Sequence, residues 1–355
     1  MSDIIVIGGG IAGVSAAAEL SHLGRVTLLE AEDALASHAS GRSAALYEPA
    51  YGPPAILELS RLSGPDLADA GVLSPRGMML VAAVGADQGF DAERDQMGLQ
   101  EIDPDRAVTI CPGLDPARIA RAAHSTAAQD IDTDLLIQTH ARAARSRGAQ
   151  ILTGAGVTAI SRSCGRWHLR TKNGEHAAPV LINAAGAWAD RIAEMAGVRP
   201  LGLQPHRRSV ARIAMPQGVD VSRWPMLMGL GESWYAKPDA GALIVSPADA
   251  EPVPPHDAWA DDMVLAEGLA RYAEVARHPV RRMLANWAGL RTFAPDGSPA
   301  YGRDAGQPDF VWFAGQGGYG FQSSAAAARF IADTVAGRPT DARLAALMDP
   351  ARFSR

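Results

Sequence analysis

The chain has 355 residues, of which 47% are hydrophobic and 20% are charged, and its formal net charge is −6 at pH 7. This mild acidity, without any basic run, excludes a nucleic-acid-binding surface, and the length suffices for two connected domains. Two cysteines without CxxC spacing exclude a cysteine-rich metal site and fit a reducing compartment. No metal site is predicted. An early first strand and the lack of a long apolar stretch predict a cytoplasmic protein with no transmembrane segment.

The first predicted element is a buried parallel strand, because Ile4–Ile7 are four consecutive aliphatic residues. Three spaced glycines follow it. Gly8 allows a sharp turn, Gly10 allows a pyrophosphate to approach the backbone, and Gly13 allows the next helix to pack closely on the strand. The pattern predicts a dinucleotide site.

A helix predicted over 12–23, with Gly24 as its C-cap, directs free amides and a positive dipole end toward the phosphates. The next strand, Val26–Leu29, ends at Glu30, which lies twenty residues after Gly10. A carboxylate at this position accepts hydrogen bonds from both hydroxyls of an adenosine ribose and repels a 2′-phosphate. These features predict an ADP-containing cofactor other than NADP, and they leave both NAD and FAD open.

A loop of small and polar residues follows over 34–45 and has too little bulk to pack a core. An irregular loop is predicted over 47–54, and a short helix over 55–62 that ends at Gly64-Pro65. A strand is predicted over 78–84.

Asp132 is the predicted N-cap of a helix that runs to about residue 147. An antiparallel ribbon is predicted over 151–180, with its hairpin turn at Asn173-Gly174. The strand that follows ends in Asn183-Ala184-Ala185-Gly186. A glycine at the carboxyl end of such a strand is where ligands bind in doubly wound sheets.

The character of the chain changes between residues 201 and 293. Strands predicted at 209–214, 234–236, 242–246 and 286–294 surround one long helix at 261–277. This predicts a second, mostly antiparallel domain inserted into the first. The chain then finishes with a strand at Phe310–Ala314, a glycine-rich turn and an alanine-rich helix.

The second glycine-rich turn, Gly315–Gly320, again offers free amides and a helix N-terminus to a ligand. NAD requires only one pyrophosphate site and a nicotinamide pocket. A reduced flavin also carries negative charge at its N1/C2 carbonyl edge, which a helix N-terminus stabilises. A simple tight turn is the alternative. Together with the hydroxyl-rich loop at 37–43, the pattern favours FAD over NAD.

The predicted fold class is therefore α/β with an α+β insert. It combines a Rossmann-type, doubly wound FAD-binding domain with a mostly antiparallel substrate-binding domain. The FAD-binding domain is assigned to 1–76, 130–200 and 295–355, and the substrate-binding domain to 77–129 and 201–294.

Two arginines are candidates for binding an anion. Arg208 lies at the start of the strand predicted from residue 209, with Val210 and Arg212 on the same face. Arg291 shares its strand face with the apolar company of Trp287, Gly289 and Phe293. A buried, unpaired guanidinium is costly, so each arginine requires an anionic partner. That partner is either a structural Asp or Glu, or the carboxylate of a substrate, which a guanidinium binds bidentately.

Several long runs of the sequence resemble one family. They are Gly41-Arg42-Ser43-Ala44-Ala45, Ala50-Tyr51-Gly52, Leu73-Ser74-Pro75-Arg76, Asp130-Ile131-Asp132-Thr133-Asp134, Asn183-Ala184-Ala185-Gly186-Ala187-Trp188, the stretch 197–205, Trp224-Pro225-Met226-Leu227, Tyr235 with Lys237-Pro238-Asp239-Ala240-Gly241, Trp287-Ala288-Gly289-Leu290-Arg291 and Gln316-Gly317-Gly318-Tyr319-Gly320. Over nearly the whole chain these runs resemble the FAD-dependent D-amino acid oxidase family, which includes glycine and sarcosine oxidases. Within it they are most similar to the bacterial D-arginine dehydrogenases.

The resemblance implies roles for five candidate catalytic residues. Arg208 and Arg291 hold the substrate carboxylate, the carbonyl of Gly318 accepts from the substrate amine, and two tyrosines flank the substrate. These tyrosines are Tyr51, on a mobile loop, and Tyr235.

The candidate cofactor-binding residues come from both glycine-rich turns, the hydroxyl-rich loop and the strand end near residue 185. They are Gly8, Gly10, Ile11, Ala12, Gly13, Glu30, Ser40, Gly41, Arg42, Ser43, Val157, Ala185, Gly186, Trp188, Gly315, Gly317, Gly318, Tyr319, Gly320 and Gln322. Sarcosine oxidases attach their flavin to a cysteine in the C-terminal glycine-rich region, where this chain has none. Non-covalent FAD is therefore expected, and His38 is interpreted as making a loop hydrogen bond rather than a flavin bond.

Departures from the D-arginine dehydrogenases concern the side-chain pocket. Their glutamate that binds the substrate guanidinium is replaced by Gly77 and then Met78, a histidine by Leu46, and a threonine by Glu48. Methionine in place of glutamate makes the pocket more apolar, which predicts apolar or small D-amino acids rather than arginine. Glu48 keeps open the alternative that the substrate has a basic side chain, which its carboxylate could bind.

The predicted activity is oxidative deamination of a D-amino acid. A hydride passes from the substrate Cα to flavin N5, and the imino acid hydrolyses to a 2-oxo acid and ammonia. The alternatives are oxidation of a secondary amine (sarcosine- or glycine-like) or of a 2-hydroxy acid, and a non-catalytic, flavin-binding redox sensor. The electron acceptor (oxygen, a quinone or another) and the oligomeric state stay open.

Overall fold

The computed structural model describes residues 2–353. Its strands are, in chain order, β1 (Ile4–Ile7), β2 (Val26–Leu29), β3 (Leu46–Tyr47), β4 (Leu73–Pro75), β5 (Met78–Ala83), β6 (Gln100–Ile102), β7 (Ile119–Ser125), β8 (Gln129–Ile131), β9 (Gln150–Leu152), β10 (Val157–Ser163), β11 (Arg166–Thr171), β12 (Gly174–Ala178), β13 (Val180–Asn183), β14 (Gln204–Ile213), β15 (Met226–Gly229), β16 (Tyr235–Asp239), β17 (Ala242–Ser246), β18 (Glu251–Pro252), β19 (Met283–Phe293), β20 (Ala300–Arg303) and β21 (Phe310–Ala314). Its helices are α1 (Ile11–Leu20), α2 (Pro54–Asp69), α3 (Phe90–Gln96), α4 (Pro104–Ile110), α5 (Thr133–Ser146), α6 (Ala189–Met195), α7 (Asp262–Val275), α8 (Ser324–Ala336) and α9 (Ala342–Met348).

One sheet has the strand order β20-β21-β13-β1-β2-β9, and all neighbours except β20 and β21 are parallel. From β1 the chain proceeds to β2 on one side, whereas β13 joins β1 on the other. The carboxyl ends of β1 and β13 therefore lie side by side, with Ile7 opposite Asn183. This is the topological switch point at which doubly wound sheets bind ligands.

The parallel sheet is buried on both faces, and β1 shows how. Ile4 and Val6 pack into the apolar core under α1, α2, α5 and α8, whereas Ile5 and Ile7 pack into a second core with Trp167. That tryptophan belongs to the small sheet β10-β11-β12, which covers the opposite face. Four aliphatic residues in a row are needed because neither face of the strand meets water. The predicted α/β class with a doubly wound sheet is confirmed.

The second large sheet has the order β18-β14-β17-β16-β15-β5-β7-β6, and β19 pairs with β14. Its pairs are antiparallel except for β15 with β5. It therefore combines strands from 78–125 with strands from 204–293. The β14–β19 pair is the longest: it keeps one register from Gln204 opposite Phe293 to Arg212 opposite Ala285, and the register shifts before Ile213, which lies opposite Met283.

Local predictions between residues 130 and 180 are confirmed with one exception. The Asp132 carboxylate accepts from the amide of Leu135 at 2.9 Å, as an N-cap does, and Asn173-Gly174 turns the chain between β11 and β12. Gln150–Leu152, however, leaves the ribbon and extends the parallel sheet beside β2.

The helix that was predicted to end at Gly64-Pro65 continues to Asp69. Its packing against α8 overrides the local breaker signal. The Arg329 guanidinium donates to the carbonyl of Leu62 and lies 2.8 Å from the Asp66 carboxylate, while the amide of Ala326 donates to the Ser63 hydroxyl. These contacts lie on both sides of Pro65 and hold the helix together across it.

Helix α1 ends at Leu20 instead of residue 23, and Gly24 is not its C-cap. Ser21 occupies the cap position, and Gly24 does not adopt the left-handed conformation typical of a C-cap glycine. Gly24 instead lies against Asp3, whose carboxylate accepts from the amide of Arg25 at 2.9 Å. The prediction of the cap was therefore wrong.

Gly13 sets how closely α1 approaches β1. A Cβ at this residue would lie 1.8 Å from the carbonyl oxygen of Gly8, and Gly8 itself has a φ of +106°. No side chain can give way here, because the obstructing atom belongs to the backbone.

We expect Gly13→Ala to lower the free energy of unfolding by about 3 kcal/mol, since strand and helix must separate to admit the methyl group. Gly24→Ala is the matched control, because a Cβ there meets only the side chain of Asp3 at 3.1 Å. Chemical denaturation of both variants measures the difference. Equal stability of Gly13→Ala and the wild type would contradict this account of the turn.

Candidate active site

Three cavities follow one another along the cleft between the parallel sheet and the β14–β19 pair. We call them the first cavity (≈ 390 Å³, beside Glu30), the middle cavity (≈ 140 Å³, beside Gly317) and the distal cavity (≈ 90 Å³, beside Tyr51). Neighbouring cavities share lining residues. The first and middle cavities share Gly10, Ala39, Ser40, Arg42, Ala184, Gly186, Ala187, Gly289 and Leu290, and the middle and distal cavities share Ser43, Ala44, Arg208, Tyr235, Arg291 and Gly318.

Most candidate cofactor residues line these cavities. Gly8, Gly10, Glu30, Ser40, Arg42, Val157, Ala185, Gly186 and Trp188 line the first cavity; Gly10, Ile11, Ala12, Ser40, Arg42, Ser43, Gly317, Gly318 and Gly320 line the middle cavity; Ser43, Gly318, Tyr319 and Gln322 line the distal cavity. Gly13, Gly41 and Gly315 line none of the three. Gly41, for example, is needed because a Cβ there would lie 2.2 Å from the carbonyl oxygen of Ala36.

The first cavity is built around a buried carboxylate and the N-terminus of α1. The two oxygens of Glu30 accept from the amides of Gly9 and of Glu32, the latter at 2.8 Å. The hydroxyl of Ser40 accepts from the amide of Ile11 at 3.0 Å. Each carboxylate oxygen has a second lone pair, so Glu30 is held in place and can still accept from ribose hydroxyls.

His38 belongs to the first cavity. Its ring lies 4.7 Å from that of Trp188, and its Nε2 is 2.9 Å from the carboxylate of Glu32. It therefore makes a loop hydrogen bond and lies away from the middle cavity. Cys111 and Cys164 line none of the three cavities either.

Arg42 lines the first and middle cavities, but the protein already uses its guanidinium. It donates to the carbonyls of Ala258 at 2.8 Å and Ala288 at 2.9 Å, and it pairs with Asp257. In return, Trp287 donates to the carbonyl of Arg42 at 3.1 Å. The side chain thus ties the small-residue loop to the larger sheet.

The C-terminal glycine turn forms one wall of the middle cavity. The amide of Gly317 donates to the carbonyl of Thr292, whereas none of the hydrogen bonds among residues 2–353 uses the amides of Gly318, Gly320 and Phe321. Helix α8 begins only at Ser324, a few residues beyond the turn. Free amides rather than the first turn of a helix therefore lie nearest this cavity.

The register of β14 and β19 places the two candidate arginines together. Arg208 pairs with Gly289, and Arg291 pairs with His206, so the arginines are diagonal neighbours on one face of the sheet. Both line the middle and the distal cavity. Because Gly289 has no side chain, the space above it stays open.

The guanidinium groups of Arg208 and Arg291 form no hydrogen bond or ion pair with any residue that the structure describes, and the Nε atom of Arg208 is buried without a partner. Burial lowers the pKa of Arg208, and the positive charge of Arg291 lowers it further. Two like charges in a buried cavity require an anion, and no protein carboxylate supplies one by direct contact.

Tyr51 lines the distal cavity. Its hydroxyl donates to the carboxylate of Glu232 at 2.5 Å, and its ring lies 5.6 Å from that of Tyr319. Burial and the neighbouring Glu232 raise the pKa of Tyr51 well above its usual range. Gln322 anchors this segment: its amide group donates to the carbonyl of Tyr51 at 3.1 Å and accepts from the amide of Glu48 at 3.0 Å.

The remaining wall of the distal cavity is mostly apolar. Tyr235 is only 6% exposed, and it packs in one core with Met78 and Met228. Glu48 is the exception. Its carboxylate is buried, accepts only from the amide of Ala50, and has a pKa raised by that burial.

Several residues that line this cavity were not predicted as site residues from the sequence, among them Glu232, Met226 and Met228. Glu232 has a left-handed φ of +50°, in a turn held to α3 by a bond from Gly231 to Glu93. The adjacent Gly229-Leu230-Gly231 is a turn signal, but nothing local shows that it faces Tyr51 across the cleft.

Within residues 2–353, no helix has both the length and the hydrophobicity required to cross a bilayer. Nor do these residues contain a group of three or more His, Cys, Asp or Glu side chains placed to hold a metal ion.

Similarity to curated proteins extends over long stretches of the chain. It is 31% identical over 218 residues to one of the subunits of anaerobic glycerol-3-phosphate dehydrogenase from Escherichia coli K12, covering 56% of this chain and 40% of that protein. It is 24% identical over 368 residues to human mitochondrial dimethylglycine dehydrogenase, covering 94% and 42%. The chain thus spans less than half the length of these relatives.

Solved structures share the fold across the full length. Glycine oxidase from Geobacillus kaustophilus matches with a TM-score of 0.84 and 22% identity, covering 99% of this chain and 97% of that one. L-proline dehydrogenase from P. horikoshii matches with 0.83 and 22%, covering 100% and 98%. FAD-bound L-α-glycerophosphate oxidase from Mycoplasma pneumoniae matches with 0.85 and 18%, covering 94% of each chain.

The cavities suit FAD, because a nucleotide-sized first cavity with a held carboxylate leads into a middle cavity lined by free amides. The family model for the DAO group, described as "FAD dependent oxidoreductase", matches residues 3–334. Special closeness to the D-arginine dehydrogenases stays a prediction. The chain belongs to the DAO family of FAD-dependent oxidoreductases.

Proposed function

We propose that this protein oxidises a D-amino acid at Cα to an imino acid, which hydrolyses to a 2-oxo acid and ammonia. The proposal is carried by Arg208 and Arg291, two neighbouring arginines that have no ion-pair partner among the described residues and lie at the junction of the middle and distal cavities. A carboxylate is the small anion that a guanidinium binds bidentately. A distal cavity of ≈ 90 Å³ suits a substrate of amino-acid size.

The proposal gives each part of the cofactor a place in the cavities, supported by their lining residues. The ADP portion would be held in the first cavity by Glu30 and the α1 N-terminus, and the ring in the middle cavity beside Ser43 and the amides of Gly318 and Gly320. When bound, the flavin supplies the acceptor for a hydride from the substrate Cα. The protein's share of the reaction is orientation and electrostatics.

The residues of the distal cavity orient the substrate. The arginine pair binds the carboxylate, and the backbone of Gly318 lies beside Arg291, where a Cβ would come within 3.0 Å of the guanidinium carbon. The carbonyl of Gly318 accepts from the substrate amine, which reacts in its neutral form and so leaves Cα able to release a hydride. Tyr51 and Tyr235 close the cavity and exclude water. D-stereochemistry is supported by the resemblance of the sequence motifs.

The side-chain preference follows from the cavity wall. Leu46, Met78, Met226 and Met228 present apolar surface, which favours apolar or small side chains over that of arginine. Glu48 is the polar exception on this wall. A cationic side chain would approach that carboxylate and not residue 78.

A second candidate is oxidation of a secondary amine that also carries a carboxylate. It is favoured by the similarity, over 94% of this chain, to dimethylglycine dehydrogenase, because dimethylglycine is likewise an N-methylated amine with a carboxylate, in its case a tertiary amine. The arginine pair serves such a substrate equally, and a 2-hydroxy acid as well. A redox sensor would hold the same cofactor but would not be reduced by any of these compounds.

Anaerobic flavin reduction tests the proposal. We expect D-amino acids to bleach the visible flavin bands of the purified protein, while L-isomers, sarcosine and 2-hydroxy acids do not. Arg291→Met should retain FAD and lower the second-order rate constant of reduction by about 100- to 1,000-fold, because a buried charge-assisted contact is lost.

Arg212→Met is the control for that variant. Arg212 also lies on β14, but it is paired with Asp239 at 2.7 Å and lines none of the three cavities. Reduction by L-isomers alone would overturn the stereochemistry, and reduction by sarcosine alone would favour the second candidate. Full activity of Arg291→Met would sink the role of the arginine pair.

Tyr51→Phe removes the hydrogen bond to Glu232 and keeps the aromatic ring. We expect substrate to bind about tenfold more weakly, as the loss of a hydrogen bond to a charged group implies, with little change in the limiting rate of reduction. Tyr47→Phe is the matched control, since its hydroxyl donates to the carbonyl of Ser60 and lies outside the cavities. Rapid-reaction titrations measure both parameters, and unchanged binding in Tyr51→Phe would contradict the closing role.

A panel of D-amino acids tests the side-chain preference. We expect unbranched apolar side chains to exceed D-arginine in kcat/KM by at least about tenfold. Met78→Glu should reduce that ratio, because it restores a carboxylate to the apolar wall. The wild type could instead prefer D-arginine, and Glu48→Gln could lose that preference. This pair of results would show that Glu48 binds a basic side chain of the substrate.

A further inference from the structure

A buried ionic cluster lies behind the distal cavity and takes no part in the chemistry described above. The Lys237 ammonium is 2.9 Å from Oδ1 of Asp130, and it donates to the carbonyl of Ala45 at 3.1 Å. Arg76 binds the other oxygen of Asp130 at 2.5 Å. The three charged side chains are only 12–17% exposed.

The cluster joins β16 of the larger sheet to β8 at one place. Lys237 lies on β16, two residues after Tyr235, so both side chains leave the same face of that strand. Asp130 lies on β8, which pairs with β3, the strand that begins directly after Ala45. Lys237 therefore connects the strand of Tyr235 to the segment that precedes β3.

That segment and the start of β3 line both cavities. Ser43 and Ala44 line the middle and the distal cavity, Ala45 and Leu46 line the distal one, and Tyr235 lines both. The bond from Lys237 to Ala45 thus ties the strand of Tyr235 to the segment that runs along the junction of the two cavities.

Burying these charges is costly, and apolar replacements of a buried ion pair are often as stable. The stability of the fold alone therefore does not account for Lys237. The position of Lys237 beside the cavities does account for it. Reaction rates depend steeply on the alignment of the reacting groups, and a displacement of about 1 Å can lower the rate by a factor near 100.

We infer that Lys237 is a positioning residue: by holding the carbonyl of Ala45 it fixes the junction of the middle and distal cavities, and with it the alignment of substrate and cofactor. The inference rests on the proposed function. Lys237→Met tests it with little danger to the fold, because Asp130 keeps its pairing with Arg76 when the ammonium is removed.

The experiment compares holoenzymes of the wild type, Lys237→Met, Lys237→Arg and the Arg212→Met control. For each, bound FAD per chain, melting temperature, the limiting rate of anaerobic flavin reduction and the substrate Kd are measured. We expect Lys237→Met to lower the limiting rate by about 10- to 100-fold, with FAD content retained and Kd within about threefold. Lys237→Arg should recover most of the rate, and Arg212→Met should match the wild type.

A wild-type rate in Lys237→Met overturns the inference, and so does a loss of rate that parallels a loss of FAD, which would assign Lys237 to the fold. Absence of reduction of the wild-type flavin by any amine or hydroxy acid is the separate failure of the proposed function. In that event the visible circular dichroism of the bound flavin decides: a spectrum altered in Lys237→Met but not in Arg212→Met supports the role, and identical spectra overturn it.

Discussion

Two guanidinium groups that form no ion pair with any residue in 2–353 are the constraint on which this site depends. The register of β14 and β19 places Arg208 and Arg291 diagonally on one face, and the absence of a side chain at Gly289 keeps the space beside them open. Their mutual repulsion and burial raise the free energy of the empty cavity, which a bound carboxylate lowers. In the proposed function, substrate binding is thus coupled to an electrostatic imbalance built into the larger sheet.

The parallel sheet supplies the other half of the candidate site, where the cofactor's nucleotide would lie. At its switch point between β1 and β13, Gly8 turns the chain, Gly13 lets α1 approach, and Glu30 is held by two backbone amides. The loop at 34–45 is bonded to the larger sheet at two places. The Arg42 guanidinium donates to the carbonyl of Ala288 on β19, and the Lys237 ammonium on β16 donates to the carbonyl of Ala45. These bonds hold the loop that lines all three cavities against the larger sheet.

Features with a local cause could be predicted from the sequence. The buried strand, its glycines, the terminal Glu30, the Asp132 cap and the arginines' need for an anion all follow from periodicity or from the cost of burial. Contacts between distant segments could not. The bond of Tyr51 to Glu232, the role of Gln322 in holding Tyr51, and the continuation of α2 through Pro65 depend on partners brought together only by the fold.

The most direct test of the central claim is a titration of the holoenzyme with isobutyrate and with isobutyramide, followed by the flavin absorbance difference spectrum. The two ligands have the same shape, and only the first carries a carboxylate. The arginine pair predicts a saturable difference spectrum with isobutyrate and none with the amide over the same range. Equal responses to both ligands, or none to either, would contradict the claim that this cavity is built to bind a carboxylate.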